Sequence, residues 1–208
     1  MNTLQTRIPR PKQMAGILAC CAGFAAPPIL ADTKTSKDGA KDYALTVYGG
    51  RLTDGDWHES FGPGTNFIDS DLVVAALAKT LSRSADGGRS YEVEAQIAKH
   101  SGIQDNLEYN LLGAVRWHDL FWSEKLNTTA AIGLGASYAS SVPRAEATII
   151  NSGSEKLLAY WHLELTLGPP RGDWQASLRM HHRSTAYGLF GGNGGSNAVT
   201  LGVRYEFD

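Results

Sequence analysis

The sequence predicts an all-β fold, an eight-stranded antiparallel transmembrane β-barrel of the bacterial outer membrane, on three observations. Eight segments alternate apolar and polar residues over roughly the 9 to 11 positions that a tilted membrane strand requires. Beyond the N-terminal leader no run of about 18 apolar residues could form a spanning helix, so an embedded chain has to close its backbone hydrogen bonds in a barrel. The connections alternate between long and short, as they do where short turns face the periplasm and long loops face outward.

The 208-residue chain begins with Arg7, Arg10 and Lys12, followed by an apolar stretch from Met14 to Leu30 and then Ala31. This is the pattern of a secretory signal peptide over residues 1–31. A competing lipoprotein signal, cut before Cys20, would leave a hydrophobic region of only about six residues against the roughly 7 to 15 expected. Both cysteines, Cys20 and Cys21, fall inside the leader, so the exported chain can hold no disulfide and no cysteine-ligated metal. Residues 32–41 read as a flexible periplasmic tail. Residues 42–208 form the barrel, and their length fits one domain. The formal charge of −2 becomes more negative once the basic leader is removed. That balance argues against nucleic acid and against bulk attraction to anionic lipid.

The predicted strands are 42–52, 70–82, 90–100, 105–117, 127–138, 155–168, 173–184 and 197–207. In the third, Tyr91, Val93, Ala95 and Ile97 oppose Glu92, Glu94 and Gln96. In the fourth, Leu107, Tyr109, Leu111, Val115 and Trp117 oppose Glu108, Asn110, Ala114 and Arg116. The fifth carries Gly133, Gly135 and Ser137, which leave interior room for longer neighbours. The sixth sets Leu157, Ala159, Trp161, Leu163, Leu165 and Leu167 against Tyr160, His162, Glu164 and Thr166. In an eight-stranded barrel the charges Glu92, Glu94, Glu108, Arg116, Glu164, Arg179, Arg204 and Glu206 would fill the interior as pairs. A soluble sandwich would turn the same face to water, and a lipocalin-like barrel would turn the apolar face inward. Aromatic residues at the strand ends, among them Tyr91, Tyr109, Trp117, Trp122, Tyr138, Trp174, Tyr205 and Phe207, favour the bilayer, where interfacial girdles belong. No segment reads as helical. With the N-terminus in the periplasm, the connections 53–69, 101–104, 139–154 and 185–196 face outward.

The chemistry lies near the C-terminus. In the seventh strand His182 and Ser184 share the apolar face with Trp174, Ala176, Leu178 and Met180. Asn197 opens the matching face of the eighth strand, ahead of Val199, Leu201, Val203, Tyr205 and Phe207. A serine becomes a nucleophile when an adjacent base accepts its proton and a third group fixes that base's tautomer. Ser184 as nucleophile, His182 as general base and Asn197 orienting His182 satisfy those roles. The backbone amides of Ala186, Tyr187 and Gly188 are the candidates for an oxyanion hole. A lone His-x-Ser is also an ordinary occurrence at a polar rim. His181 and His182 point to opposite faces and do not form a metal site, and the glycines from Gly191 to Gly195 precede no helix and form no phosphate loop.

The run His182-Arg183-Ser184-Thr185-Ala186, followed by Asn193, Gly195, Asn197, Leu201, Arg204-Tyr205 and Phe207, resembles the C-terminal signature of the outer-membrane lipid A 3-O-deacylases of the PagL type. Tyr48-Gly49-Gly50-Arg51-Leu52-Thr53 is compatible with that family's first strand. The resemblance implies an eight-stranded barrel with a lipid-facing Ser-His-acid site that cleaves the acyl ester at position 3 of lipid A. It implies Ser184 as nucleophile, His182 as base, no metal and no organic cofactor. Its partner is lipid A or another acylated outer-leaflet lipid. Asn197 stands where the family has an acid, Thr185 stands where it has Asn, and one extra residue falls at Tyr187. The second function class is a non-catalytic outer-membrane barrel with a structural, adhesive or partner-binding role.

Overall fold

The computed structural model describes residues 40–208 apart from Asp119, Phe121, Ser123 and Glu124. The strands are β1 Tyr43–Thr53, β2 Phe67–Arg83, β3 Arg89–Gly102, β4 Leu107–Trp117, β5 Asn127–Ala139, β6 Leu157–Gly168, β7 Trp174–Ser184 and β8 Gly195–Phe207. Each pairs antiparallel with the next, and β1 pairs with β8 from Tyr43↔Phe207 to Thr53↔Asn197, which closes the barrel. The fold is the expected eight-stranded antiparallel barrel of the outer-membrane type. The leader expected over 1–31 and the tail as far as residue 39 lie outside the described residues.

Alternation decides what each face meets. Outward-pointing Leu45, Val47, Val73, Leu77, Leu111, Leu134, Leu201 and Val203 are exposed, as lipid-facing residues must be. At the short-loop end Phe207 stacks on Tyr43 at 5.8 Å and on Tyr205 at 6.1 Å, with Trp174 and Trp117 in the same girdle. Phe67, Tyr109 and Tyr138 mark the long-loop end. Connections 54–66, 140–156 and 185–194 at this end outreach 84–88 and 169–173 at the other. That asymmetry assigns the long-loop end to the cell exterior.

The inward face is a network of fully buried charges. Arg179 bridges Glu94 Oε1 at 2.6 Å and Glu164 Oε1 at 3.0 Å. Arg116 bridges Glu164 Oε2 at 2.6 Å and Glu92 Oε1 at 3.0 Å, and Arg204 reaches Glu92 at 3.3 Å. Nearer the outer mouth, His100 Nε2 and His181 Nε2 meet the two oxygens of Glu108 at 2.8 and 2.9 Å. Tyr48 and Tyr160 hydroxyls each lie 3.2 Å from His181 Nδ1. Each ion has an oppositely charged partner on another strand, which offsets its removal from water, although Glu92 Oε2 and Arg204 Nη1 find no hydrogen-bond partner among the described residues. The small residues of β5 make space: a Cβ on Gly133 would fall 2.7 Å from His162 Cε1, and one on Gly135 only 2.0 Å from Leu111 O.

Two features depart from the expected elements. Strands β2, β3 and β8 extend beyond their alternating stretches at the outer end. There Phe67 pairs with Thr53 past a bulge, Gly102 pairs with Ser70, and Gly195 pairs with Ser184. Those pairings satisfy backbone groups in polar sequence that has no apolar rhythm. The connection 140–156 also contains a helical turn, Glu146–Ile150, where no helix was expected. It carries Glu146 into the barrel mouth. The Glu146 carboxylate accepts from Arg183 Nη1 at 2.7 Å, Ser196 at 2.8 Å and Ser154 at 2.6 Å.

Replacing Glu164 with Ala leaves Arg116 and Arg179 each short of a carboxylate in a site closed to water. The expected cost is about 3–5 kcal/mol, the range for breaking a buried pair on one side. Urea-dependent folding into lipid vesicles measures it, and an unchanged midpoint would show that the network contributes nothing to stability.

Candidate active site

Register, more than proximity in sequence, assembles the site. Antiparallel pairing sets His182 of β7 opposite Asn197 of β8, Asn197 opposite Thr53 of β1, and Trp161 of β6 opposite His182. Trp161, His182, Asn197 and Thr53 therefore form one cross-strand row on the outer wall, toward the outer rim. Ser184 lies in the next row outward, opposite Ala159 and Gly195.

Within the row His182 Nδ1 and Asn197 Oδ1 are 2.5 Å apart. The other end of the amide, Nδ2, donates to the carbonyl of Gly55 at 2.8 Å. A carbonyl only accepts, so the amide nitrogen has to face Gly55 and the amide oxygen has to face the imidazole. An amide oxygen also only accepts, so Nδ1 carries the ring proton and Nε2 presents a lone pair. The described residues give Nε2 no hydrogen-bond partner. Trp161 lies beside the imidazole with ring centres 4.5 Å apart and planes at 36°.

Ser184 is half-buried on the same face as His182, about 6.5 Å along the strand. Among the described residues no hydrogen bond joins the two, and Ser184 Oγ accepts from Ala186 N–H at 3.4 Å. Hydrogen bonds between nucleophile and base are often long without substrate and tighten in the complex.

Beyond Ser184 the chain turns through three consecutive left-handed residues, Ala186 at φ 47°, Tyr187 at φ 58° and Gly188 at φ 93°. The first two carry a Cβ and so hold strain that only surrounding bonds can maintain. Those bonds run from Gly188 N–H and Phe190 N–H to Thr185 O, at 3.1 and 3.0 Å, and from Leu189 N–H to Ala186 O at 3.3 Å. Of the three candidate oxyanion donors, Gly188 spends its N–H on this turn. Ala186 N–H already faces Ser184 Oγ, and Tyr187 N–H has no partner among the described residues.

Sequence reasoning missed Trp161, Trp57 and the Gly55 carbonyl. Connection 54–66 folds down over the row. Trp57 packs edge-on against Trp161 at 5.7 Å and 82°. Thr53 Oγ1 meets Ser60 Oγ at 2.9 Å, and Ser60 donates to Asp56 O at 3.2 Å. Period-two reading places Trp161 on the outward face, but only register brings it beside His182. The backbone carbonyl of a loop has no signature in sequence.

No protein-family model matches this chain, and no curated protein matches it significantly. Among solved structures, the crystal structure of the outer membrane enzyme PagL is similar over 79% of this chain and 99% of its own, with a TM-score of 0.52 and 12% identity. Neisserial surface protein A (NspA) aligns over 79% of this chain and 96% of its own, with a TM-score of 0.43 and 13% identity. At such identity the PagL likeness shows the barrel fold alone.

Because Ala186 sits at φ 47°, replacing it with Gly removes a backbone penalty. The Ala186→Gly variant is expected to gain about 1 kcal/mol of folding stability. Ala136→Gly, in the middle of β5, should lose stability instead. Urea midpoints of the two variants check the contrast, and a loss in both would argue against the left-handed turn.

Proposed function

We propose that this protein is an outer-membrane serine ester hydrolase that removes an ester-linked acyl chain from lipid A or another acylated lipid of the outer leaflet. The observation that carries the reading is the 2.5 Å contact between His182 Nδ1 and Asn197 Oδ1 on the lipid-facing wall, one row from Ser184. A polar pair held so closely on an apolar face, with the basic nitrogen left open, suits a general base better than a structural rim. The PagL-like signature and the likeness of the barrel to the outer membrane enzyme PagL agree with it.

In this reading the lipid stays in the leaflet, with its acyl chain along the barrel wall and its ester level with the outer rim. His182 Nε2 takes the proton as Ser184 Oγ attacks the ester carbonyl carbon. Asn197 Oδ1 holds the Nδ1–H of the imidazolium that forms. The N–H groups of Ala186 and Tyr187, which the turn leaves unspent, are the donors assigned to the oxyanion in this reading. Collapse of the tetrahedral intermediate breaks the bond to the sugar oxygen, which leaves with the proton returned by His182, and the acyl group remains on Ser184. Water activated by His182 then releases the fatty acid and restores the serine. Asn197 carries no charge, so it stabilises the imidazolium less than a carboxylate would.

The second reading is a non-catalytic outer-membrane barrel with a structural, adhesive or partner-binding role. The missing hydrogen bond between Ser184 and His182 favours it.

Mass spectrometry of lipid A from cells producing the protein separates the two. The hydrolase predicts loss of one ester-linked acyl chain, abolished in Ser184→Ala and His182→Ala variants that still reach the outer membrane. Unchanged lipid A at good expression, together with no release of fatty acid from other acylated outer-leaflet lipids, would support the non-catalytic barrel.

A further inference from the structure

We infer that connection 54–66 is a positioning element for the base: the Gly55 carbonyl, locked down by Trp57, dictates which end of the Asn197 amide faces His182 and so selects the imidazole tautomer. The inference rests on the reading of His182 as general base and deepens it. It concerns Gly55 and Trp57, which touch neither the serine nor the reacting ester.

Asparagine and aspartate differ in what their two ends offer an imidazole. A carboxylate offers the same atom at both ends and always accepts from Nδ1–H. An amide has one accepting and one donating end, and a half-turn about its last bond would present NH₂ to Nδ1. The proton would then move to Nε2, where it blocks the serine. That wrong tautomer is what costs a Ser-His-Asp hydrolase about 10⁴ in kcat when its Asp is replaced by Asn. An asparagine at this position works only if something outside the pair fixes its orientation.

Here that something is visible. Asn197 Nδ2 donates to Gly55 O at 2.8 Å, and a flipped amide would set two accepting oxygens against each other there. Asn197 itself is only 5% exposed, so water has little access to relieve that clash. Four further contacts hold the loop that carries this carbonyl. Trp57 packs edge-on against Trp161, which in turn lies against His182. Thr53 and Ser60 bond at 2.9 Å, and Ser60 ties back to Asp56 O at 3.2 Å. Asp54 N–H donates to Asn66 O at 3.2 Å, which pins the two ends of the loop together. The loop touches the amide that orients the base directly, and the ring of the base through Trp161.

The test is ¹⁵N NMR of the His182 ring in the full-length mature protein folded in detergent micelles, with the signals assigned by their loss in His182→Gln. The intact protein should show a protonated Nδ1 and an unprotonated Nε2 at neutral pH. Trp57→Ala combined with Ser60→Ala loosens the loop without touching a strand, and a substantial Nε2–H population should appear. Exposed His58, whose ring meets Trp57 and Glu59 of the same loop, is the control, and His58→Ala should leave the tautomer unchanged. On the acyl lipid the double variant should lose at least about 10-fold in kcat, bounded by the roughly 10⁴-fold cost of the wrong tautomer, with KM little changed. Adding Asn197→Asp, whose ends are equivalent, should restore part of that loss in the loosened background. An unaltered tautomer in the double variant, an Nε2–H form in the intact protein, or an equal shift in His58→Ala would each overturn the inference. The NMR result does not depend on turnover, so a protein that hydrolyses nothing but shows the loop-dependent tautomer refutes the hydrolase and leaves the clamp standing.

Discussion

Closure of β1 against β8 is the constraint from which the rest of the molecule follows. In hydrocarbon an unpaired backbone N–H or C=O costs several kcal/mol, so a strand-built membrane protein has no stable open edge. The ladder from Tyr43↔Phe207 to Thr53↔Asn197 removes that edge. It also fixes the register of the last two strands to the first, and with it the neighbours of every outward residue near the outer rim. The row Trp161, His182, Asn197 and Thr53 is a by-product of the closure that lets the barrel exist in a bilayer. A slip of one residue would turn His182 into the interior and His181 out to lipid.

An eight-stranded barrel is too narrow for an open channel, so its inside has to be packed. This chain packs it with charge. Arg116, Arg179 and Arg204 interleave with Glu92, Glu94 and Glu164 near the middle and the short-loop end, and Arg183 holds Glu146 at the outer mouth. Such pairs gain little over an apolar core, yet they are directional, and Arg116–Glu164, Arg179–Glu94 and Arg204–Glu92 link strands that are not neighbours. Arg183 lies between His182 and Ser184 and points inward to Ser137 and Glu146. The segment bearing the candidate site is therefore anchored from the inside by the side chain that alternation sends the other way.

A site on the outside of a wall has no cleft to shape it, so orientation comes from neighbours in the sheet and from whatever folds over the rim. Both are present. The sheet supplies Asn197 and Trp161, and connection 54–66 supplies Gly55 and Trp57. On the other flank the left-handed turn at Ala186–Gly188 directs an amide toward Ser184. The lipid bilayer itself completes the surroundings on the remaining side.

The strands were legible in the sequence because a barrel wall separates lipid from a packed interior, and that division writes itself as period-two alternation. Leu157 to Leu167 against Tyr160 to Thr166 is enough to place β6 and to say which residues face out. By the same rule His182 and Ser184 had to share a face, and Asn197 had to open the matching face of β8. The sequence alone could not show that Asn197 lies directly opposite His182, or that Trp161 flanks it, because alternation is unchanged by a register shift of two residues. Nor could it show the helical turn that carries Glu146 into the mouth or the Gly55 carbonyl that holds the Asn197 amide. Those contacts join a loop to a strand distant along the chain, the second of them through a backbone carbonyl that every residue possesses, and only closure of the barrel brings them within reach.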